Sequence, residues 1–307
     1  MRLGVIDIGS NTVHLLVMDA RPGARPVPQA SHKTTVRLMQ YVGSDGAISS
    51  KGVKALCRAV EDAAEAGRGH DVEATMALAT SAVREARNGA KVLAALEQVA
   101  GAPIEVLAGD EEARLTFLAA RRWYGWGAGR LLLLDIGGGS LEIATGVDEA
   151  PDVALSVPLG AGRMTREFLV DDPPRPKDVE RLRKHARGVL RDAVGPVLDA
   201  PAPDHAVATS KTFRSLARLA GMPRQVLGTD ERWRVRHDHL VDWEPRLAKL
   251  SSADRTVLPG IGPGRARQIV AGAVVAQEAL GALGVVEVEI CPWALREGAI
   301  LQRLDRL

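Results

Sequence analysis

Two short glycine loops in this sequence each begin with an aspartate. Each of them therefore places an acid beside a potential phosphate-binding site. Asp7 begins DIGSNT and Asp135 begins DIGGGS, and each aspartate follows a run of apolar residues. Residues without a Cβ let backbone N–H groups approach an anion closely, so such a loop can hold phosphate. After each loop the apolar residues alternate again, which predicts a returning strand and therefore a hairpin.

These hairpins differ from the best-known nucleotide-binding loops, which lead directly into a helix. The pattern GxxxxGK[ST] is absent from the chain, and no GxGxxG opens a helix. The sequence therefore argues against both P-loop and Rossmann folds. Two copies of one hairpin instead predict two halves that face each other across a cleft lined by N–H donors and two carboxylates.

Further charged residues stand at predicted helix starts, where backbone N–H groups attract anions. Glu111 and Glu112 open the helix of AGDEEARL, and Arg84 follows the Thr-Ser pair of ATSAVREA. Ser210 and Lys211 occupy the equivalent place in ATSKTFRS and are candidate phosphate ligands. Helix capping and the helix dipole explain these residues without a ligand, so both interpretations stay open at this point. Hydrolysis of a phosphoanhydride would use such residues to hold phosphates, neutralise charge and position water.

The elements that would position these residues follow the same order twice. Each half opens with a hairpin, 3–19 and 131–147, and continues with helices and strands in alternation. A further strand is predicted at 31–40, and the glycine-rich segment 125–130 is the predicted linker. The pattern predicts an α/β fold with an N-terminal domain at 1–124 and a C-terminal domain at 125–307. The last helix is predicted either in the second domain or packed on the first.

Composition limits the class of protein. The 307 residues are 46% hydrophobic, which supplies the cores of two domains. A formal net charge of +2 argues against a general nucleic-acid-binding protein. The predicted first strand begins near Leu3 and no apolar stretch reaches membrane-spanning length, so we expect no signal peptide, no membrane partner and a cytoplasmic location.

Five motifs together resemble a known family. DIGSNT, ATSAVREA, AGDEEARL, DIGGGSLE and ALREG, in this order and spacing, resemble the exopolyphosphatase and guanosine pentaphosphate phosphohydrolase family. That family belongs to the actin-like, sugar kinase and Hsp70 ATPase superfamily, and the chain is similar to its short actinobacterial form. The resemblance implies two duplicated ribonuclease-H-like domains, an active-site cleft between them, and a phosphoanhydride hydrolase that depends on magnesium or manganese.

The same resemblance implies roles for individual residues. Glu112 corresponds to the catalytic base that activates water, and Glu142 is a second catalytic acid. Asp135 and Glu142 are predicted near the metal ion, with Asp7 as a supporting acid at the metal. The implied phosphate-binding residues are Ser10, Asn11, Thr12, Arg37, Arg84, Gly137, Gly138, Gly139 and Ser140. Leu141, Thr12 and Arg267 depart from the family pattern, which leaves the substrate preference open.

The predicted function is hydrolysis of the terminal phosphate of linear inorganic polyphosphate. Guanosine pentaphosphate hydrolysis and a catalytically silent sensor of polyphosphate or nucleotide remain alternatives, although Glu112 and Glu142 argue against the sensor. Guanosine pentaphosphate or tetraphosphate is therefore a further candidate ligand, and a homodimer is expected from the family. The densest basic run, 175–192, is interrupted by acids, which is typical of a solvated helix face and favours short substrate chains.

Overall fold

The chain forms two compact units. The computed structural model describes residues 1–224 and 232–306. Unit 1 comprises Met1–Ala119 and Leu295–Leu307, and unit 2 comprises Ala120–Ala294. The sequence placed the division between residues 124 and 125, whereas the structure places it within a helix that begins at Gly109.

A five-stranded sheet forms the centre of unit 1, with the strand order β3-β2-β1-β4-β5. The first three strands are antiparallel, and β4 and β5 run parallel to β1. Apolar residues cover both faces of the sheet. Ile6 and Ile8 of β1 belong to the apolar cluster on one face, and Leu3 and Val5 belong to the cluster on the other face, since successive strand residues point to opposite faces. The strands are β1 Arg2–Ile8, β2 Thr12–Asp19, β3 Val27–Thr35, β4 Ala74–Ala79 and β5 Glu105–Val106.

Four helices follow these strands: α1 Ser50–Arg68, α2 Ser81–Arg84, α3 Gly89–Ala100 and α4 Gly109–Tyr124. The side chain of Ser49 accepts a hydrogen bond from the Gly52 N–H at 3.3 Å, which caps α1. At the carboxyl end of α3, Gly101 has φ 67°, the left-handed conformation that commonly ends a helix. These sequence features fix where the helices begin and end.

Unit 2 is built on a seven-stranded sheet with the order β10-β11-β12-β9-β6-β7-β8. The central strands β6, β9 and β12 are parallel, and the remaining pairs are antiparallel. The carboxyl ends of the three parallel strands therefore lie at one edge of the sheet. The strands are β6 Leu131–Ile136, β7 Leu141–Gly146, β8 Val153–Val157, β9 His205–Ala208, β10 Met222–Arg224, β11 Arg232–Arg236 and β12 Glu287–Ile290.

One helix of unit 2 is buried along almost its whole length and forms the centre of the core. This helix, α11, contains mainly Ala, Val and Ile, and it packs against α5, α6, α8 and α9. A helix that is apolar on all sides is typical of a core element. The helices of unit 2 are α5 Ala161–Phe168, α6 Pro176–Ala193, α7 Gly195–Leu198, α8 Ser210–Ala220, α9 His237–Lys249, α10 Ser252–Arg255 and α11 Ile269–Ala282.

The last helix, α12 Leu295–Asp305, packs in unit 1. Leu295 and Ile300 join the apolar cluster of Leu3, Val5 and Leu115. Gly298 lets α12 approach α4 closely, because a Cβ at this position would overlap the carbonyl oxygen of Leu115 in α4. None of the described helices is both long and apolar enough to cross a bilayer.

Both predicted hairpins are confirmed, and their register is fixed. Asp7 lies opposite His14 in the β1–β2 pair, and Asp135 lies opposite Glu142 in the β6–β7 pair. The strand predicted at 31–40 was wrong at its carboxyl end, because β3 stops at Thr35 and Arg37 has φ 53° before a short 3-10 helix. A left-handed residue cannot continue an extended strand.

Candidate active site

In unit 1, an acid and an arginine that the resemblance implied lie side by side. Glu112 stands in the first turn of α4, and its Oε2 lies 3.4 Å from Nη1 of Arg84. The same nitrogen donates a hydrogen bond of 2.7 Å to the carbonyl oxygen of Leu107. The Arg84 and Glu112 side chains are 22% and 13% exposed, so Arg84 is held in a fixed position beside a largely buried carboxylate.

The DIGSNT loop is connected to the segment of Arg37 through its backbone and to α2 through the hydroxyl of Ser10. The carbonyl oxygens of Ser10 and Asn11 accept hydrogen bonds of 2.8 to 2.9 Å from the N–H groups of residues 36 to 38. Arg37 is thereby placed next to the loop. The hydroxyl of Ser10 lies 3.3 Å from that of Ser81, the first residue of α2. The structure thus brings Ser10, Asn11 and Arg37 together, with Ser81 connecting them to the helix of Arg84.

Asp7 has an ion-pair partner from the last helix. Oδ2 of Asp7 lies 3.8 Å from Nη1 of Arg296, and this nitrogen also hydrogen-bonds to Nδ1 of His14. His14 occupies the position that Glu142 has in the second hairpin. Sequence reasoning quoted ALREG but assigned no role to Arg296, and it missed His14. Aligning the two hairpins residue by residue would have found the exchange of His for Glu.

The glycine loop of unit 2 directs its carbonyl groups toward α5. Gly137, Gly138 and Gly139 accept hydrogen bonds of 2.8 to 3.0 Å from Ala161 and from the backbone and side chain of Arg163. The Gly137 N–H closes the turn on the Ser140 carbonyl at 2.9 Å. Because three successive carbonyls are held on the side of α5, the other side of this loop can present N–H groups to an anion.

Replacing Gly160 should disturb this loop without changing any residue in it. A Cβ at Gly160 would overlap backbone atoms of Gly139 and Ser140. We expect Gly160→Ala to lower turnover about tenfold or more, because small displacements of positioning groups are costly. Phosphate-release kinetics measure the effect, and Gly188→Ala on α6 is the control, because nothing lies near its added Cβ. Equal activity of the two variants would show that the loop tolerates displacement.

Asp135 and Glu142 form a pair of carboxylates on adjacent strands. Directly opposed residues of an antiparallel pair project from the same face of the sheet. Ser156 donates a hydrogen bond of 2.8 Å to Oε1 of Glu142, which is 1% exposed, and Thr209 donates one to Oδ2 of Asp135. Hydroxyl groups from two further strand ends therefore orient both acids.

Two carboxylates fit the ligand requirement of Mg²⁺, which usually keeps several waters and binds one or two carboxylates together with substrate phosphates. Within residues 1–224 and 232–306, no group of three or more His, Cys, Asp or Glu residues forms a complete protein metal site. The pair suits an ion that shares its coordination with substrate and water.

A cluster of cations surrounds the start of α8 in the same unit. Burial lowers the pKa of Lys211, and the nearby charges of Arg214, Arg265 and Arg218 lower it further. Ser210, at the start of α8, has φ 71°, and its hydroxyl accepts a hydrogen bond of 3.3 Å from the Phe213 N–H. Strained backbone of this kind concentrates at ligand-binding sites. Ser210 and Lys211 are linked to the carboxylate pair because Thr209 donates to Asp135.

Arg265 belongs to this cluster, and sequence reasoning missed it. Burial lowers the pKa of Arg265 to about 10, and the negative charge of Asp135 opposes this shift. Arg265 lies in an irregular segment before α11, far along the chain from both glycine loops. No periodic pattern distinguished it from its neighbour Arg267.

We expect Arg265→Met to separate anion binding from folding. The lowered pKa shows that the folded protein disfavours the charged guanidinium, so its removal should not lower the melting temperature. A bound phosphate chain would lose a charge-assisted contact, which predicts a KM raised about tenfold or more. Steady-state kinetics and thermal unfolding measure both effects. An unchanged KM would remove Arg265 from the substrate site.

Fold and site together define a class of protein: two α/β units, each opening with an aspartate-bearing hairpin, form the two-domain fold of the actin-like proteins. Solved structures show the same fold. An exopolyphosphatase from Cytophaga hutchinsonii matches with a TM-score of 0.86 and 24% identity, covering 100% of this chain and 99% of that one. A Ppx/GppA protein from Aquifex aeolicus matches with a TM-score of 0.79 and 23% identity, covering 100% and 98%.

The chain belongs to the Ppx/GppA phosphatase family, whose model matches residues 16–307. Exopolyphosphatase 1 of Mycobacterium tuberculosis is 50% identical over 305 residues, which are 99% of this chain and 89% of the relative. The family resemblance predicted from the five motifs and the duplicated fold are therefore confirmed.

Proposed function

We propose that this protein is an exopolyphosphatase, which hydrolyses the terminal phosphoanhydride of linear inorganic polyphosphate. That it is a phosphoanhydride hydrolase follows from its family and from its relatives named exopolyphosphatase. The observation that carries the finer proposal is the grouping in unit 2 of the glycine loop, two carboxylates and the cations Lys211 and Arg265. This group offers charge and N–H donors for several consecutive phosphates.

The proposed mechanism assigns proton transfer to unit 1. Glu112 accepts the proton of the attacking water, and Arg84 beside it positions the base and neutralises charge on the transferred phosphoryl group. The DIGSNT loop and Arg37 would bind phosphate oxygens through N–H, hydroxyl and guanidinium donors.

Unit 2 would hold the chain of phosphates. The loop residues Gly138, Gly139 and Ser140 contribute backbone N–H groups, and Ser210, Lys211 and Arg265 contribute side-chain donors and positive charge. Asp135 and Glu142 would hold magnesium, or manganese in its place, which neutralises charge on the phosphate oxygens. Asp7, paired with Arg296, is better suited to support the DIGSNT loop than to bind the ion directly.

Guanosine pentaphosphate is the second candidate substrate, because the same phosphate-binding groups would hold its phosphates. A direct experiment measures phosphate release from tripolyphosphate, long-chain polyphosphate, guanosine pentaphosphate and ATP side by side with magnesium. We expect the highest kcat/KM on polyphosphate. A higher value on guanosine pentaphosphate would overturn the assigned substrate, and absence of release from all four would favour a binding protein.

We propose that the enzyme prefers short polyphosphate chains, because ion pairs within the protein engage the arginines of the densest basic run, residues 175–192. Arg183 bonds to Glu244 and Glu278, and Arg187 also bonds to Glu278. These cations are not available to extend a track for a long polyanion. Cytoplasmic location and a homodimer remain predictions.

We therefore expect distributive digestion of long chains and a higher kcat/KM on short chains. The KM should rise with salt, because salt screens the electrostatic contacts with the substrate. Gel analysis at early times should show intermediate lengths. Full-length chains beside free phosphate, without intermediates, would indicate processive digestion and contradict the proposal.

A further inference from the structure

The accessible side of helix α8 carries only cations. Lys211 and Arg218 are exposed and Arg214 is partly exposed, whereas every other residue of α8 after Ser210 is buried. Residues three and four positions apart lie on one side of a helix, so the three cations form a row. With a rise of about 1.5 Å per residue, the row is about 10 Å long. Lys211, Arg214 and Arg218 together are the α8 face.

The chain around the α8 face adds no acid. The segments 205–229 and 256–277 contain no Asp or Glu. The second segment packs beside the first, because a Cβ at Gly260 would overlap the Cβ of Arg218, and α11 packs against α8. Among residues 1–224 and 232–306, no ion pair joins the α8 face to a carboxylate. The face therefore differs from α6, where Arg183 and Arg187 pair with acids.

The α8 face begins beside the candidate active site. Thr209, which directly precedes α8, donates a hydrogen bond to Asp135. Nη2 of Arg214 donates a hydrogen bond of 2.9 Å to the carbonyl oxygen of Pro292, which follows the carboxyl end of β12. Asp135 and Pro292 lie at the same edge of the sheet, because β6, β9 and β12 are parallel. Arg218 lies one helical turn further along α8, so the row leads away from the carboxylates.

The charges of the α8 face do not stabilise the helix as a mixed surface would. Lys211 stands in the first turn, where the helix dipole favours acids. Arg214 and Arg218 are four residues apart, and like charges at this spacing repel each other. Only Arg218, in the last turn, suits the dipole. Residues that contradict a local preference in this way are typical of functional positions.

We propose that the α8 face binds the phosphates of a polyphosphate chain that extend beyond the candidate active site, and that Arg214 and Arg218 determine which chain length binds most tightly. This inference rests on the proposed exopolyphosphatase function. A row of cations matches a chain of anions, and guanidinium groups form charge-assisted hydrogen bonds with phosphate. Because α8 ends at Ala220, the face adds contacts for only a few phosphates, which agrees with the proposed preference for short chains.

Arg218→Met tests the far end of the row, because Met keeps an apolar stem of similar shape and removes the charge. Steady-state kinetics compare tripolyphosphate with a polyphosphate of intermediate length that reaches past Arg218. We expect KM to rise about tenfold on the longer substrate and much less on tripolyphosphate, with kcat unchanged on both. The dependence of KM on salt should also be shallower on the longer substrate. An equal rise of KM on both substrates would contradict the proposal.

Two further variants separate local charge from other effects. Arg218→Lys keeps the charge and should retain most of the affinity for the longer substrate. Arg191→Met removes the same charge from an exposed position of α6, where Arg191 pairs only with its neighbour Asp192, and should leave both KM values unchanged. If Arg191→Met raised KM on the longer substrate as much as Arg218→Met does, net charge would explain the effect and the α8 face would have no special role.

Equilibrium binding of the longer polyphosphate distinguishes this inference from the proposed function. If the wild type hydrolyses tripolyphosphate but Arg218→Met binds the longer chain as tightly as the wild type does, the α8 face alone is overturned. If the wild type hydrolyses neither substrate but Arg218→Met binds the longer chain about tenfold more weakly, the hydrolase function fails and the binding face stands.

Discussion

Glu112→Gln should lower turnover on polyphosphate by about two to four orders of magnitude, because the amide cannot accept the proton of the attacking water. The substitution keeps the shape of the side chain beside Arg84, so substrate affinity should change little. Pre-steady-state phosphate release measures the chemical step, and equilibrium binding of tripolyphosphate measures the affinity. A loss confined to kcat is the expected result for a general base.

Asp110→Asn is the matched control for this variant. Asp110 stands in the same first turn of α4, but its side chain is 57% exposed and lies 3.9 Å from Arg114, its neighbour one turn further along. Both variants weaken the favourable charge at the start of the helix by the same amount. If the two lost activity equally, Glu112 would be a helix-stabilising residue, and the base would have to be sought elsewhere.

Asp135→Asn is expected to have the second large effect, a loss of at least about a hundredfold in turnover together with a higher magnesium requirement. Asp135 and Glu142 are opposed across one hairpin, so removing either charge leaves a single carboxylate to share an ion with the substrate. Activity measured over a magnesium series separates a metal effect from a direct catalytic effect. Excess magnesium should restore part of the activity only if the ion is bound here.

Thr209→Val serves as the graded comparison. It removes the hydrogen bond to Asp135 but keeps both carboxylates, and loss of a supporting partner of this kind typically costs about ten- to a hundredfold in metal affinity or activity. The magnesium requirement should therefore shift less than in Asp135→Asn. An unchanged magnesium requirement in both variants would contradict metal binding at Asp135.

The two hairpins differ in the residues that they place opposite each other. The second hairpin opposes two acids, whereas the first opposes Asp7 to His14 and adds Arg296 from α12. A lone carboxylate with a nearby guanidinium has less need of a metal ion than two opposed carboxylates, which repel each other without one. This difference supports the proposal that the ion binds at Asp135 and Glu142, with Asp7 in a supporting role.

The sequence by itself determined the features that depend on local chemistry. Glycine loops flanked by alternating apolar residues specify hairpins, and Asp-Ile-Gly repeated at two such places revealed the duplication. The acids at the start of α4 and the cations at the starts of α2 and α8 could be found for the same reason, because helix ends have characteristic residues.

The tertiary structure decided the features that depend on contacts between distant segments. The charge of Asp135 acts on Arg265, which lies in an irregular segment more than a hundred residues later in the chain, and Arg296 reaches Asp7 from the last helix. Neither contact leaves a periodic pattern, because it depends on how the chain packs and not on local spacing. Arg234, His205 and Glu289 come together in the same way, because strand order, which no short motif encodes, places β11 and β9 on either side of β12.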